Sequence, residues 1–256
     1  MSSFRKTALV GGILYLITFL GSIPAALLVS PVIDNPGYVT GAGNDQQVAF
    51  GLVLELVNVF GCIGCGVALF SVVRRVHEGL AIGYVTTRLF EAATITIGVI
   101  SLLAVISLRQ QGAASGDAEA FVPVAGALGA IRHWSMILGP NMAAFNALML
   151  GTALYRARLV PRAIPALGII GAPILITFVI GNILGFTGPG TLFQGIAVMP
   201  FFIWELVLGL WLTFKGFNND SPIAIEERAR QAQSRDEFAA TARPAQVTTS
   251  TTAGVA

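Results

Sequence analysis

Six stretches of this 256-residue chain, at 7–30, 48–73, 80–108, 133–155, 166–186 and 192–214, are apolar and almost free of charge. Each exceeds the ~18 residues at which an apolar run reads as a membrane span. Hydrocarbon offers no water to satisfy backbone N–H and C=O groups, so a segment of this length crosses it as a helix. Composition agrees, with 11% charged and 55% hydrophobic residues, where soluble domains carry about 25% charged residues. The chain therefore reads as all-α: an integral membrane bundle of six transmembrane helices. Residues 1–217 form the membrane domain and 218–256 a cytoplasmic tail, largely disordered. Within the tail, 223–238 is charged enough for a surface helix, and the Thr/Ala-rich 241–256 lacks the apolar content to fold.

The connections follow from turn chemistry. Arg5 and Lys6 before the first run resemble the start of a signal peptide, but the run is too long for a cleavable apolar region and reads as a retained helix. Residues 31–47 are rich in Pro, Gly, Asn and Asp and read as a loop, as does 109–121. Residues 122–131 read as a short re-entrant or interfacial helix. Gly139-Pro140-Asn141 interrupts the fourth run, and Pro24, Pro173 and Pro200 are expected to kink others. A broken helix at membrane depth lines a cavity or is covered by protein.

Charge at the run ends gives an orientation. With the N-terminus inside, the inner borders hold Arg5, Lys6, Arg74, Arg75, Arg156, Arg158, Arg162 and Lys215, and the outer ones only Arg109 and Arg132. That asymmetry puts both termini in the cytoplasm and agrees with an even count of six spans. The patterns Gly66-Val67-Ala68-Leu69-Phe70 and Gly151-Thr152-Ala153-Leu154-Tyr155, each followed by arginines and a new helix, are shared by duplicated hairpins and unrelated inner helix ends alike.

Four ionisable residues fall well inside runs: Glu55, Arg88, Glu91 and Glu205. Left unpaired near a helix centre, each costs roughly 2.5–3.5 kcal/mol on insertion scales. They are expected to face the bundle interior and pair. Arg88 and Glu91, three apart, share one helix face. Depth matches Arg88 to Glu205 first and to Glu91 second. Three carboxylates facing one guanidinium leave two negative charges uncompensated, so a proton or a cation is expected beside them. Such a surplus suits proton or cation handling, and an interhelical ion-pair network that fixes packing uses the same residues. His133, at the outer mouth of the fourth helix, and Asn141 complete the ligand- or proton-binding candidates.

Several enzyme classes lack support. No H-E-x-x-H, G-x-S-x-G or Walker motif occurs, and no aspartate lies within a run. A metal site from Glu55, Glu91 and His133 would have the ligand types for zinc with one open position. Glu55, Asn58, Cys62 and Cys65 form one polar face, and the C-x-x-C among Gly61, Gly64 and Gly66 reads as close helix packing. Two cysteines make no disulfide framework. No basic stripe with interleaved aromatics occurs, so nucleic acid is not among the expected partners. The lipid bilayer and a small molecule or ion are. No cofactor is expected.

Arg5-Lys6-Thr7-Ala8-Leu9, Leu54-Glu55-Leu56, Glu78-Gly79-Leu80-Ala81-Ile82-Gly83-Tyr84 and Arg88-Leu89-Phe90-Glu91 form a recognisable set. With them go His133-Trp134, Leu138-Gly139-Pro140, Asn146-Ala147-Leu148, the turn at 158–162 and Trp204-Glu205-Leu206-Val207. From Arg5 to Phe217 the chain resembles the DUF4386-type family of prokaryotic multi-pass membrane proteins. The resemblance implies topology and no activity. The leading reading is a non-enzymatic membrane protein whose polar cavity binds or transports a small ligand, proton or cation. The alternatives are an intramembrane metal-dependent hydrolase acting on lipid and a structural or regulatory membrane partner.

Overall fold

The computed structural model describes residues 3–33, 35, 37–41 and 43–241. Among the described residues, six spans are long and apolar enough to cross a membrane, as the run lengths require. They are α1 (Ser3–Ile33), α2 (Asp45–Val76), α3 (Glu78–Ser115), a composite fourth span (Ala118–Arg156), α7 (Ala163–Ile183) and α8 (Leu192–Phe214). The fourth comprises α4 (Val122–Leu138), a 3₁₀ turn (Pro140–Met142), α5 (Ala143–Asn146), a π-turn (Ala147–Gly151) and α6 (Thr152–Arg156). A last helix, α9 (Pro222–Thr241), follows. No strand occurs among the described residues.

The spans close into a ring. Helix α1 packs on α2 and α8, α2 on α3, α3 along the fourth span, and α7 on both α8 and the 143–151 segment. Large apolar side chains point outward, with Leu20, Phe60 and Ile170 each 70% exposed, as lipid-facing surfaces allow. The charged side chains Glu55, Arg88, Glu91 and Arg132 turn inward. Small residues bring the backbones together. A Cβ on Gly21 would lie 2.8 Å from the Leu54 carbonyl oxygen, and one on Gly12 would lie 2.5 Å from the Thr213 amide. Without hydrophobic drive between helices in lipid, such close packing supplies much of their association.

Several boundaries differ from the sequence reading for identifiable reasons. Helix α1 runs through Pro31 to Ile33. Proline leaves the Leu27 carbonyl without its helical donor, and the Ser30 hydroxyl donates to it at 3.0 Å instead. Helix α3 continues past 108 to Ser115 and ends on Gly116, whose φ of 75° is left-handed. The 122–131 segment is no separate re-entrant helix but part of the first half of the fourth span. Helix α4 leans mainly on α3, which opens a crevice on its other side.

The basic end is tied together by backbone-directed contacts. Arg5 donates to the carbonyls of Leu212 (2.8 Å), Thr213 (2.7 Å) and Phe214 (3.2 Å), satisfying the C-terminus of α8. His77 closes α2 through its amide and caps α3 by accepting from Leu80 at Nδ1 (3.3 Å). The base of α9 is docked, with Ser221, Ile223 and Ala224 buried and the Asn218 amide on the Leu159 carbonyl at 2.7 Å. The disorder expected at 241–256 concerns mainly 242–256, which lie outside the described residues.

Candidate functional site

Arg88 is 1% exposed at the centre of the ring. Its Nη1 donates to Glu91 Oε2 at 3.0 Å and its Nη2 to Glu205 Oε1 at 2.6 Å. Both pairings expected from depth are therefore present, on one guanidinium. Room for it comes from Gly66, where an added Cβ would touch Arg88 Cβ at 3.4 Å. Two rings cover it: Arg88 Cζ lies 4.8 Å from the Tyr15 centroid and 5.8 Å from that of Tyr84, and the two phenols hydrogen-bond each other at 3.0 Å. A guanidinium favours such faces, and the contact gains when desolvated. Glu91 receives a second donor, Asn146 Nδ2 at 2.8 Å, and Asn146 is held by Thr87 at 2.6 Å. Asn146 sits immediately before the π-turn, the kind of irregularity common at functional sites.

This cluster forms one wall of a cavity of about 260 Å³. Polar lining comes from Asn58, Arg88, Glu91 and Glu205, and apolar lining from Phe19, Leu175, Phe201 and Phe202. Glu205 is its most accessible acid, with a 16% exposed side chain against 7% for Glu91. On the basic side α1 and α8 meet closely at Gly12 and Gly209. Further along the same two helices, the rings of Phe19 and Phe202 meet edge to face at 5.2 Å.

Glu55 does not join the cluster. Both of its oxygens accept from Arg132 on α4, Oε2 from Nη1 at 2.7 Å and Oε1 from Nη2. Arg132 is therefore not an outer border charge but a buried residue, 5% exposed. The charge balance changes accordingly. Glu55–Arg132 pairs one charge with one, and the central cluster holds one guanidinium and two acids, so full ionisation would leave a surplus of one negative charge rather than two. The structure does not bring Glu55, Glu91 and His133 together. Among the described residues no three His, Cys, Asp or Glu side chains converge on a metal-sized site. His133 is exposed, edge-on to Trp134 at 5.3 Å. Cys62 and Cys65 are buried and unlinked, facing Asn58 Oδ1 and the Gly11 carbonyl.

A second cavity, of about 510 Å³, occupies the crevice beside α4. Arg132, His133 and Gln194 line it, and Gly126 and Gly129 leave its α4 wall open. Asn141 lines both cavities. Its Nδ2 donates to the Ile137 carbonyl at 2.6 Å, capping the end of α4 where Pro140 and the 3₁₀ turn break the helix. The helix break thus stands between the two spaces.

The sequence model of a family described as "Domain of unknown function (DUF4386)" matches residues 10–216. The chain belongs to the DUF4386 family. No curated protein and no solved structure matches it. The match spans every element of this DUF4386 protein that lines the two cavities, and the description carries no activity.

Within this DUF4386 bundle, Tyr15 and Tyr84 are residues of the cluster that were not expected from the sequence, Asn146 was marked only as a polar residue of the fourth run, and Arg132 only as a border charge. Tyr84 had a signal, since it lies four residues before Arg88 on α3 and shares its face. Tyr15 had none, because a tyrosine is not costly enough in a span to demand a partner.

A further knot lies outside the membrane-spanning core. Tyr38 donates to Asp45 Oδ1 at 2.8 Å, and Arg109 donates to the same oxygen at 2.6 Å and lies over the Tyr38 ring. Burial, then the hydrogen bond and charge of Asp45, push the Tyr38 phenol from 10.0 up to about 12, against the pull of Arg109. The folded state thus holds this proton more tightly than the unfolded one. Its stabilising contribution is complete below pH 10.0 and is lost as pH rises toward about 12. Chemical unfolding of the DUF4386 protein across that window is expected to show a fall in stability that Tyr38→Phe reduces.

Proposed function

We propose that this membrane protein binds one unit of positive charge, a proton or a small cation, in its central cavity and carries it across the bilayer. The observation that supports this reading is the unbalanced cluster: one guanidinium shared by two carboxylates at a cavity wall. A buried surplus charge is costly in a low-dielectric interior, and uptake of a single cation relieves it. A purely structural network has no need of the second acid or of a space beside it.

Distribution of charge supports the orientation. Arg5, Lys6, Arg74, Arg75, Arg156, Arg158, Arg162 and Lys215 border one end, and with Arg132 buried the other end keeps only Arg109, already paired with Asp45. By the positive-inside rule the basic end is cytoplasmic in a prokaryotic inner membrane, and both termini lie there. The second cavity then faces outward and leads past Asn141 to the cluster. The close contact of α1 and α8 at Gly12 and Gly209, with the paired phenols, closes the inner side.

Charge displacement in proteoliposomes on a supported membrane tests this. A pH jump is expected to give a transient current that falls to background in Glu205→Gln and Glu91→Gln while both variants remain monodisperse. Equal currents in parent and variants, or none in the parent, would contradict it.

A further inference from the structure

We infer that the central cavity takes an organic ammonium ion with an apolar body, and that this ion and a proton compete for the same negative charge. The inference rests on the single-charge reading above and goes further by naming the ligand class. Three observations carry it. The first is electrostatic: Arg88 offsets one of the two acids, so the vacant charge is monovalent. The second is the lining. Phe201 and Phe202, within about a turn of Glu205 on α8, and Phe19 of α1 line the same small space as Glu205, and an ammonium ion gains from both a carboxylate and ring faces within ~6 Å.

The third observation concerns the alternative cations. Calcium and magnesium require about six or more oxygen ligands in a dense shell. Here the guanidinium occupies the ground between the carboxylates, and no metal-sized cluster forms among the described residues. A weakly hydrated organic cation needs no such shell. It needs one accessible carboxylate, and Glu205 is the accessible one.

Competition with a proton follows from charge balance. The groups facing the cluster are Tyr15 from α1, Cys62 and Cys65 from α2, Tyr84, Arg88 and Glu91 from α3, and Glu205 from α8. The 143–151 segment brings the uncharged Asn146, and α7 brings Leu175. Arg88, Glu91 and Glu205 therefore set the balance. One added proton neutralises the surplus, and so does one ammonium ion. Binding the second requires release of the first.

Isothermal titration of the purified full chain in detergent with benzyltrimethylammonium, a permanent cation with no proton of its own, tests the inference. Affinity is expected to rise about tenfold per pH unit while the cluster holds its proton. Glu205→Gln, nearly isosteric, is expected to weaken binding at least about tenfold by removing one partner of a desolvated charge pair. Phe202→Leu, which leaves every charge in place, is expected to weaken it several-fold. Affinity independent of pH, or equal affinity for uncharged benzyl alcohol, would mark a merely apolar cavity and overturn the inference. Absence of cation binding alongside a pH-jump current that Glu205→Gln abolishes would overturn the inference and leave the single-charge reading standing. Absence of both would overturn both.

Discussion

Arg88→Met is expected to destabilise the protein by about 3–5 kcal/mol, the usual cost of removing one partner from a buried ion pair. The substitution keeps much of the side-chain volume and leaves Glu91 and Glu205 buried beside each other without their shared guanidinium. Thermal unfolding in detergent, followed by size-exclusion recovery, reads the loss. Adding Glu91→Gln and Glu205→Gln to the Arg88→Met chain is expected to restore much of it, since three neutral groups no longer need compensation. Arg88→Lys is expected to recover little. An ammonium lacks the planar fork that reaches two carboxylates at once, and it would also lose the stacking against Tyr15.

The second large effect lies at the Glu55–Arg132 pair. Either Glu55→Leu or Arg132→Met alone is expected to cost about 3–5 kcal/mol, because each strands an opposite charge at a site nearly closed to solvent. The double variant is expected to be more stable than either single one, since a buried pair can be replaced by apolar residues at little cost or even gain. Such coupling is what a double-mutant cycle isolates. Additive losses in thermal unfolding would mean that the two side chains do not act as a unit. The central-site current, by contrast, is expected to survive the double change, because this pair is neutral and separate from the cluster.

The two pairs were unequally legible. Arg88, Glu91 and Glu205 stood out because a charge in the middle of an apolar run must find a partner, and depth along a helix narrows the choice. Arg132 escaped because it stands beside the start of the expected fourth run. A charge at a run end reads as a border, so the helix was cut at the residue that mattered. Placing the start of the span at 118 instead puts Arg132 well inside it, at a level where Glu55 can meet it. The same truncation made 122–131 look like a separate element.

The six spans were legible from length and composition alone, since lipid permits few alternatives. The break at Gly139-Pro140 was legible because proline removes a backbone donor. What it separates was not. That Asn141 touches two cavities depends on α4 packing mainly on α3, a matter of tertiary packing that no residue pattern marks. The glycines that let α1 approach α2 and α8 gave only the general signal of close packing, not the partner.

The surplus acid is the central claim, and infrared difference spectroscopy of the full chain in bilayers addresses it most directly. Without added cation, the spectrum is expected to contain the C=O stretch of one protonated carboxylic acid that disappears in Glu91→Gln or Glu205→Gln. Addition of benzyltrimethylammonium is expected to convert that band to carboxylate. Two ionised carboxylates beside Arg88 with no proton and no cation bound would contradict the account.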